Sequence, residues 1–237
     1  MIADTTVTGG RLGVLAFGDS ITNGGGELQW GVALQSWAQW VARGLGLPYT
    51  GCAVDGARAA DVVARQIPLF AHVSEPGGRY DVGCLYIGVN DVRAPDWDPV
   101  AFGEACERAL RFLQDRCERT LALTAPVRLG VPPAPPQRVR ECNAAIRAAA
   151  TRAGAGVLLV DLSEFGARNQ VMADRVHPTA FGQIAIAERA LAVLAADGLR
   201  ARVAPASLIS WQTSRWGRLR GDATYLYRYL KRRVGAI

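Results

Sequence analysis

The chain alternates short apolar runs with longer helical patterns through its first 196 residues, and this alternation limits the folds that are open to it. Five runs have the length and apolar character of β-strands: Leu12–Phe17, Tyr49–Val54, Val82–Ile87, Leu121–Ala125 and Val157–Val160. Five longer segments lie between and after them: Trp30–Leu45, Ala59–Ala71, Pro99–Arg116, Arg138–Ala153 and Thr179–Ala196. The strand candidates are continuous apolar runs, which is typical of strands covered by helices on both faces. The sequence therefore predicts a three-layer α/β/α protein with a doubly wound sheet of about five parallel strands.

Length and charge divide the chain into two parts. The 237 residues suffice for one large domain with an appendage, and half of them are apolar. Residues 199–237 hold nine basic groups against one acid, whereas residues 1–198 hold 18 basic groups against 20 acids. We therefore expect one folded domain over 1–198 and a basic, aromatic-rich extension over 199–237.

The extension is predicted to be helical because an apolar stripe runs through it. The stripe consists of Leu219, Ala223, Leu226, Leu230 and Val234. A basic amphipathic helix can lie on an anionic membrane surface, pack on its own domain or pack on a second subunit, and these alternatives stay open for residues 211–234. We expect no nucleic acid partner, because no recognisable nucleic-acid-binding module accompanies the basic residues.

The cysteines and the N-terminus favour a cytoplasmic protein. The five cysteines are odd in number and lack C-x-x-C spacing, which predicts small core residues rather than disulfides or metal ligands. We expect no metal and no organic cofactor. The first residues lack the basic region of a signal peptide, and no window approaches the roughly 20 apolar residues that span a bilayer.

Polar residues follow the strand candidates at the sheet edge where proteins of this class bind ligands. They form four blocks: Gly18-Asp19-Ser20, Asp55-Gly56-Ala57, Gly88-Val89-Asn90-Asp91 and Asp174-Arg175-Val176-His177-Pro178. A hydroxyl, a backbone glycine, a carboxamide and an Asp/His pair are the groups that acyl transfer needs. His177 is the candidate base, since the other histidine, His72, lies near a helix end without neighbours that suggest a role.

These four blocks, in this order, resemble those of the SGNH (GDSL) hydrolase family, and the resemblance runs from about residue 12 to residue 196. It implies the flavodoxin-like sheet of that family and a serine ester hydrolase. It also implies that Ser20 is the nucleophile, His177 the general base and Asp174 the residue that orients the imidazole. The implied oxyanion hole consists of the backbone N–H groups of Ser20 and Gly56 and the side-chain amide of Asn90.

Residues near the blocks are candidates for the substrate pocket. Arg58 and Arg93 each follow a block, and each either meets an anionic group of the substrate or pairs with a nearby aspartate. Trp30, Trp97 and Phe165 either line an acyl or aromatic pocket or pack in the core.

Two features around the first and second blocks shape the expected site. Asp55 departs from the family pattern, which commonly has a small polar residue before the glycine. A carboxylate there disfavours an oxyanion unless it points away, for example toward Arg58. The glycines Gly24–Gly26 after Ser20 are expected to form a mobile rim.

The predicted reaction is the cleavage of a small or medium acyl ester through a covalent acyl-serine intermediate. An acyltransferase that uses the same acyl-enzyme is one alternative. A non-catalytic binding module that acts through the basic tail is the other. The α/β-hydrolase family is excluded, because its nucleophile lies in a G-x-S-x-G turn and the chain contains no such sequence.

Overall fold

The structure, a computed structural model, describes residues 12–26, 32, 34–74, 77–167, 169–209 and 215–234. It contains a parallel sheet with the strands β1 Val14–Gly18, β2 Tyr49–Gly51, β3 Tyr80–Tyr86, β4 Cys117–Leu123 and β5 Val157–Val160. The strands lie in the order β2-β1-β3-β4-β5, and each neighbouring pair is parallel. The predicted doubly wound parallel sheet is confirmed.

Helices cover both faces of this sheet. The α-helices are α1 Ser20–Asn23, α2 Trp37–Leu45, α3 Ala59–Asp61, α4 Ile67–Val73, α5 Pro99–Arg116, α6 Pro136–Ala153, α7 Ala180–Ala196 and α8 Arg215–Val234. A π-helical stretch, Val62–Gln66, joins α3 to α4. Helices α2 and α7 pack on each other and against β1 and β5, while α5 and α6 pack on each other and against β3 and β4.

The burial of the central strands β1 and β3 explains why their sequences are apolar, apart from Asp81 in β3. Every residue of β1 and of β3 is buried, because each strand has a neighbour on both sides and helices on both faces. Four of the five cysteines are buried in this core and Cys52 is half-buried, and all five are free thiols. The chain order reverses between β1 and β3, so the carboxyl ends of these two strands flank the crevice where such sheets bind ligands.

Local capping sets the ends of the helices. Helix α5 spans Pro99–Arg116 as predicted, because the Asp98 carboxylate accepts hydrogen bonds from the first backbone N–H groups and proline occupies the first turn. Helix α2 begins at Trp37, later than predicted, because the Ser36 hydroxyl caps it by accepting from the Ala38 N–H at 3.2 Å.

The chain returns to the body of the protein after α7. The N–H groups of Arg202 and Val203 donate to the Gly44 carbonyl at the end of α2, at 2.8 and 3.1 Å, and Pro205 is buried. The division of the chain at residue 198 stays a prediction. Within the described residues, no helix combines the length and the hydropathy that crossing a membrane requires.

Candidate active site

The first block turns sharply from β1 into α1 and exposes Ser20 at the edge of the sheet. Gly18 has φ +152°, and a side chain there would collide with the Tyr86 carbonyl and the Thr22 hydroxyl, so this position needs glycine. Asp19 is the N-cap of α1, and its carboxylate accepts from the Ile21 N–H at 2.9 Å. Ser20 is therefore the first residue of a helix, where its own N–H has no helical acceptor.

The fourth block brings an imidazole and a carboxylate to this serine. The Ser20 Oγ lies 2.8 Å from the His177 Nε2, and the His177 Nδ1 lies 2.8 Å from the Asp174 Oδ2. The other carboxylate oxygen of Asp174 accepts from the backbone N–H groups of Val176 and His177 at 2.9 and 3.1 Å. These contacts fix the ring so that Nδ1–H donates to Asp174 and Nε2 is free to accept the hydroxyl proton.

Carboxylates around the imidazole raise its pKa. The hydrogen bond to Asp174 is the largest cause, burial acts against it, and the negative charges of Asp174, Asp19 and Asp55 add to the rise. Burial raises the pKa of Asp174, but its hydrogen bonds with His177 and the backbone outweigh this and leave the pKa lowered. Complete burial raises the pKa of Asp19 to about 7. The site therefore favours the protonated imidazole that forms when a neighbouring hydroxyl loses its proton.

The second and third blocks are joined to each other by hydrogen bonds. The Asn90 side-chain amide donates to the Ala57 carbonyl at 3.0 Å, and the Ala59 N–H donates to the Asp91 carboxylate at 3.1 Å. Gly56 has φ +76°, and no atom of the described residues lies within 4 Å of where a Cβ would stand. The side of Gly56 on which a side chain would stand is therefore unobstructed, and its positive φ favours glycine.

Asp55 does not pair with Arg58, as the sequence suggested it could. Its carboxylate accepts from the Asn23 side-chain amide at 2.9 Å. Arg58 instead makes two hydrogen bonds to the Asp96 carboxylate, at 2.9 and 3.0 Å. The arginine is thus held by an acid and is not the unpaired cation that an anionic substrate would need.

The other pocket candidates lie in different surroundings. Trp97 packs against Phe102, with ring centroids 5.3 Å apart, and its indole N–H donates to Glu141 at 3.0 Å. Arg93 is exposed, and its guanidinium lies against the backbone of Gly130. Trp30 lies outside the described residues.

Phe165 lines a cavity of about 550 Å³ at the same edge of the sheet. Val176 and Pro178, the residues on either side of His177, line this cavity as well. Ser20 and His177 themselves are not among the residues that line it, so the cavity lies beside the Ser–His pair and not directly over it.

Two buried glutamines that the sequence analysis missed hold the backbone around Ser20. The Gln66 side chain accepts from the Gly18 N–H at 3.1 Å and donates to the Gly18 carbonyl at 2.8 Å. The Gln183 side chain donates to the carbonyls of Ile21 and Gly25 at 3.0 and 3.3 Å. It also accepts from the first N–H of α2 at 2.8 Å.

These glutamines come from elements that carry other parts of the site. Gln66 ends the π-helical stretch that follows the second block, and such stretches are frequent at functional sites. Gln183 lies in the first turn and a half of α7, the helix that His177 precedes. Gln66 therefore connects the turn that carries Ser20 to the helical segment after the second block, and Gln183 connects the same turn to the helix that follows His177.

Residues 16–184 match the family described as GDSL-like lipase/acylhydrolase. The chain belongs to this family. The resemblance inferred from the four blocks is thereby confirmed, and the chain is a GDSL esterase-type hydrolase, a carboxylic ester hydrolase that acts on small-molecule esters. Within the described residues, no group of three or more histidine, cysteine, aspartate or glutamate side chains could hold a metal ion.

Solved structures of GDSL-like proteins share the fold. A lipolytic G-D-S-L family protein from Veillonella parvula is 20% identical, with a TM-score of 0.60 over 77% of this chain and 98% of that one. A variant of Axe2, an acetyl-xylooligosaccharide esterase from Geobacillus stearothermophilus, is 19% identical, with a TM-score of 0.59 over 78% and 95%. TesA is 20% identical, with a TM-score of 0.59 over 77% and 97%. No curated protein sequence matches the chain significantly.

Proposed function

We propose that this GDSL-family protein hydrolyses a small or medium carboxylic ester through a covalent acyl-serine intermediate. The observation that carries the proposal is the chain of contacts from the Ser20 Oγ through His177 to Asp174, with both links at 2.8 Å. A serine hydroxyl is a weak nucleophile unless a base takes its proton, and here a base lies within hydrogen-bond distance.

In the first half of the reaction, the Ser20 Oγ attacks the ester carbonyl carbon while its proton passes to the His177 Nε2. A bond forms between Oγ and carbon, and the carbonyl electron pair moves onto oxygen. Asp174 stabilises the imidazolium through the Nδ1–H without taking the proton. When the carbonyl re-forms, the bond from carbon to the alcohol oxygen breaks, and His177 protonates the departing alcohol.

In the second half, water replaces the alcohol. His177 takes a proton from the water as its oxygen attacks the acyl carbon. The bond from carbon to Oγ then breaks, the proton returns to the serine oxygen, and the carboxylic acid leaves. Each step uses the same base, so one Ser–His contact serves acylation and deacylation.

Three donors are proposed to stabilise the oxyanion. They are the N–H groups of Ser20 and Gly56 and the second N–H of the Asn90 amide, whose first N–H is used by the Ala57 carbonyl. The bond to Ala57 fixes the Asn90 amide before substrate arrives, and a fixed donor needs no reorganisation during the reaction.

The acyl group that we propose to test first is acetyl. One structural neighbour is named as an acetyl-xylooligosaccharide esterase, which makes acetyl esters of sugars reasonable first substrates. The pairing of Arg58 with Asp96 also removes one cation from the mouth of the site, which suits an uncharged ester better than an anionic one.

Labelling with a fluorophosphonate, followed by turnover of p-nitrophenyl esters of increasing chain length, tests the proposal. Ser20→Ala should abolish both labelling and turnover. Ser74→Ala is the matched control, because the Ser74 hydroxyl has no hydrogen-bond partner among the described residues and its removal should change neither readout. Full turnover by Ser20→Ala would refute the mechanism. Adding candidate alcohol acceptors and measuring new ester separates a hydrolase from an acyltransferase.

A further inference from the structure

Helix α8 presents large apolar side chains to solvent along most of its length. Those of Trp216, Leu219, Leu226, Tyr227 and Leu230 are between 47% and 80% exposed. Positions 216, 219, 223, 226 and 230 are three or four residues apart, so they lie on one side of the helix. Contiguous exposed apolar surface of this kind marks a place where a protein meets a partner.

The same helix carries the whole net charge of the protein. Its 20 residues hold seven basic groups and one acid, which amounts to the +6 of the full sequence. The remaining 217 residues therefore hold equal numbers of basic and acidic groups, 20 of each. The charge and the apolar stripe coincide in one element.

We propose that α8 binds the surface of membranes that contain anionic lipids, with its axis in the plane of the bilayer interface. The apolar stripe would enter the boundary between headgroups and acyl chains, and the arginines and lysine would meet the phosphate and carboxylate groups of the lipids. Tryptophan, tyrosine and arginine are the residues that favour this boundary, because each combines an apolar body with a polar end. The helix is about 30 Å long but too polar to cross the bilayer.

Charge and apolar area together favour a lipid surface over other partners. Two copies of α8 packed through their stripes would bring two charges of +6 side by side, and this repulsion acts against self-association. Nucleic acid would satisfy the arginines but would leave the apolar stripe in water. An anionic bilayer satisfies both features of the helix.

Sedimentation of the full-length protein with vesicles tests this proposal. Vesicles of phosphatidylcholine with phosphatidylserine should pull down the protein at low salt, and vesicles of phosphatidylcholine alone should not. Raising the salt concentration should release it, because the attraction of basic residues to anionic lipid is screened.

Matched substitutions separate the contribution of the apolar stripe to vesicle binding from the contribution of the charge. Leu226→Glu should abolish binding, whereas Leu69→Glu, an equal change at an exposed leucine of α4, should leave it intact. Arg220→Glu should weaken binding by about thirtyfold, since each basic group near the surface contributes about fivefold and the change removes one and adds a repulsive charge. Arg108→Glu, at an exposed arginine of α5, is its control. Esterase activity without vesicles should be the same in all four variants.

Three outcomes would overturn the proposal. The first is no sedimentation with anionic vesicles at low salt. The second is binding that survives Leu226→Glu, which would show adsorption by charge alone. The third is that the protein does not bind vesicles but either forms a dimer that Leu226→Glu dissociates or shifts the mobility of a nucleic acid. Such a result would assign the helix to another partner.

Discussion

Replacing Gln66 with alanine tests whether this buried amide holds Ser20 in place for the reaction. The side chain is 3% exposed and bonds both the N–H and the carbonyl of Gly18, two residues before Ser20. In the variant the Gly18 carbonyl keeps a bond from the Val54 N–H at 3.1 Å, but the Gly18 N–H loses the acceptor that Gln66 provides.

The cost in stability follows from that unpaired donor. A buried polar group left without a partner costs about 1–3 kcal/mol, and the space left by the side chain adds to this, so we expect a loss of about 2–4 kcal/mol. For a chain of this size, each kcal/mol lowers Tm by about 2–4 °C, which predicts a fall of about 4–16 °C.

The expected loss of activity is larger than the loss of stability would suggest. A shift of the turn by about 1 Å would break the contact between the Ser20 Oγ and the His177 Nε2, and misplacements of this size can cost about 10²-fold in rate. We therefore expect kcat for a p-nitrophenyl ester and the rate of fluorophosphonate labelling to fall by about 10²-fold, with KM nearly unchanged. Both are measured well below the Tm of the variant.

Asn143 offers a matched control in the same protein. It is also a buried carboxamide, 7% exposed, and it bonds both the N–H and the carbonyl of one backbone residue, Ala125, at 2.8 Å each. Asn143→Ala should lower Tm by a similar amount and leave kcat within about threefold of the parent, because Ala125 follows β4 and not the strand that carries the serine. If both variants lose the same activity, or if Gln66→Ala keeps its kcat, the inference that Gln66 positions Ser20 is wrong.

Four further predictions concern the proposed reaction. The pKa of His177 is raised above its usual 6.5. We therefore expect kcat/KM for an uncharged ester to fall as the pH decreases, with the midpoint of the fall at a pH above 6.5. Asp19→Asn removes a charge that raises this pKa, so the acid limb should move to lower pH in a full pH–rate profile; a limb that stays in place contradicts the argument. Asp174→Asn should lower kcat by about 10³–10⁴-fold in steady-state assays, because the amide no longer holds the tautomer that accepts the serine proton. Asn90→Ala should lower kcat by about 10²–10³-fold with little change in KM, and an unchanged kcat would remove Asn90 from the oxyanion hole.

Features written in short stretches of sequence could be predicted. Helix α5 has its predicted bounds, Pro99–Arg116, and β5 has its predicted bounds, Val157–Val160. Caps, helical periodicity and apolar runs act within a few residues, so the sequence displays them directly. The order of strands and helices then predicted the sheet, and the sheet predicted that residues from four distant blocks meet at one edge.

Features that depend on distant partners could not be predicted in the same way. Gln66 bonds a residue 48 positions away, and Gln183 bonds one 162 positions away. A buried glutamine and an exposed one look alike in a sequence. A signal did exist for Gln66, since it lies four residues from Val62 and four from Phe70, which are both buried, and so it stands on the core face of its helix.

The acidic residues around the site show why position in the sequence is a poor guide to charge. Asp55 stands beside a proposed oxyanion donor, and Asp19 stands beside Ser20, so both would be expected to oppose a developing negative charge. The Asp55 carboxylate, however, accepts a hydrogen bond from the Asn23 side-chain amide, which holds it toward Asn23. Burial raises the pKa of Asp19 to about 7, so this carboxyl carries less negative charge at neutral pH than an exposed aspartate does. Asp174 is the carboxylate that contacts the imidazole, and its lowered pKa keeps it charged where the imidazolium forms. A full negative charge thus lies at Asp174, beside the imidazole, and burial reduces the charge of Asp19 near Ser20, where the oxyanion would form.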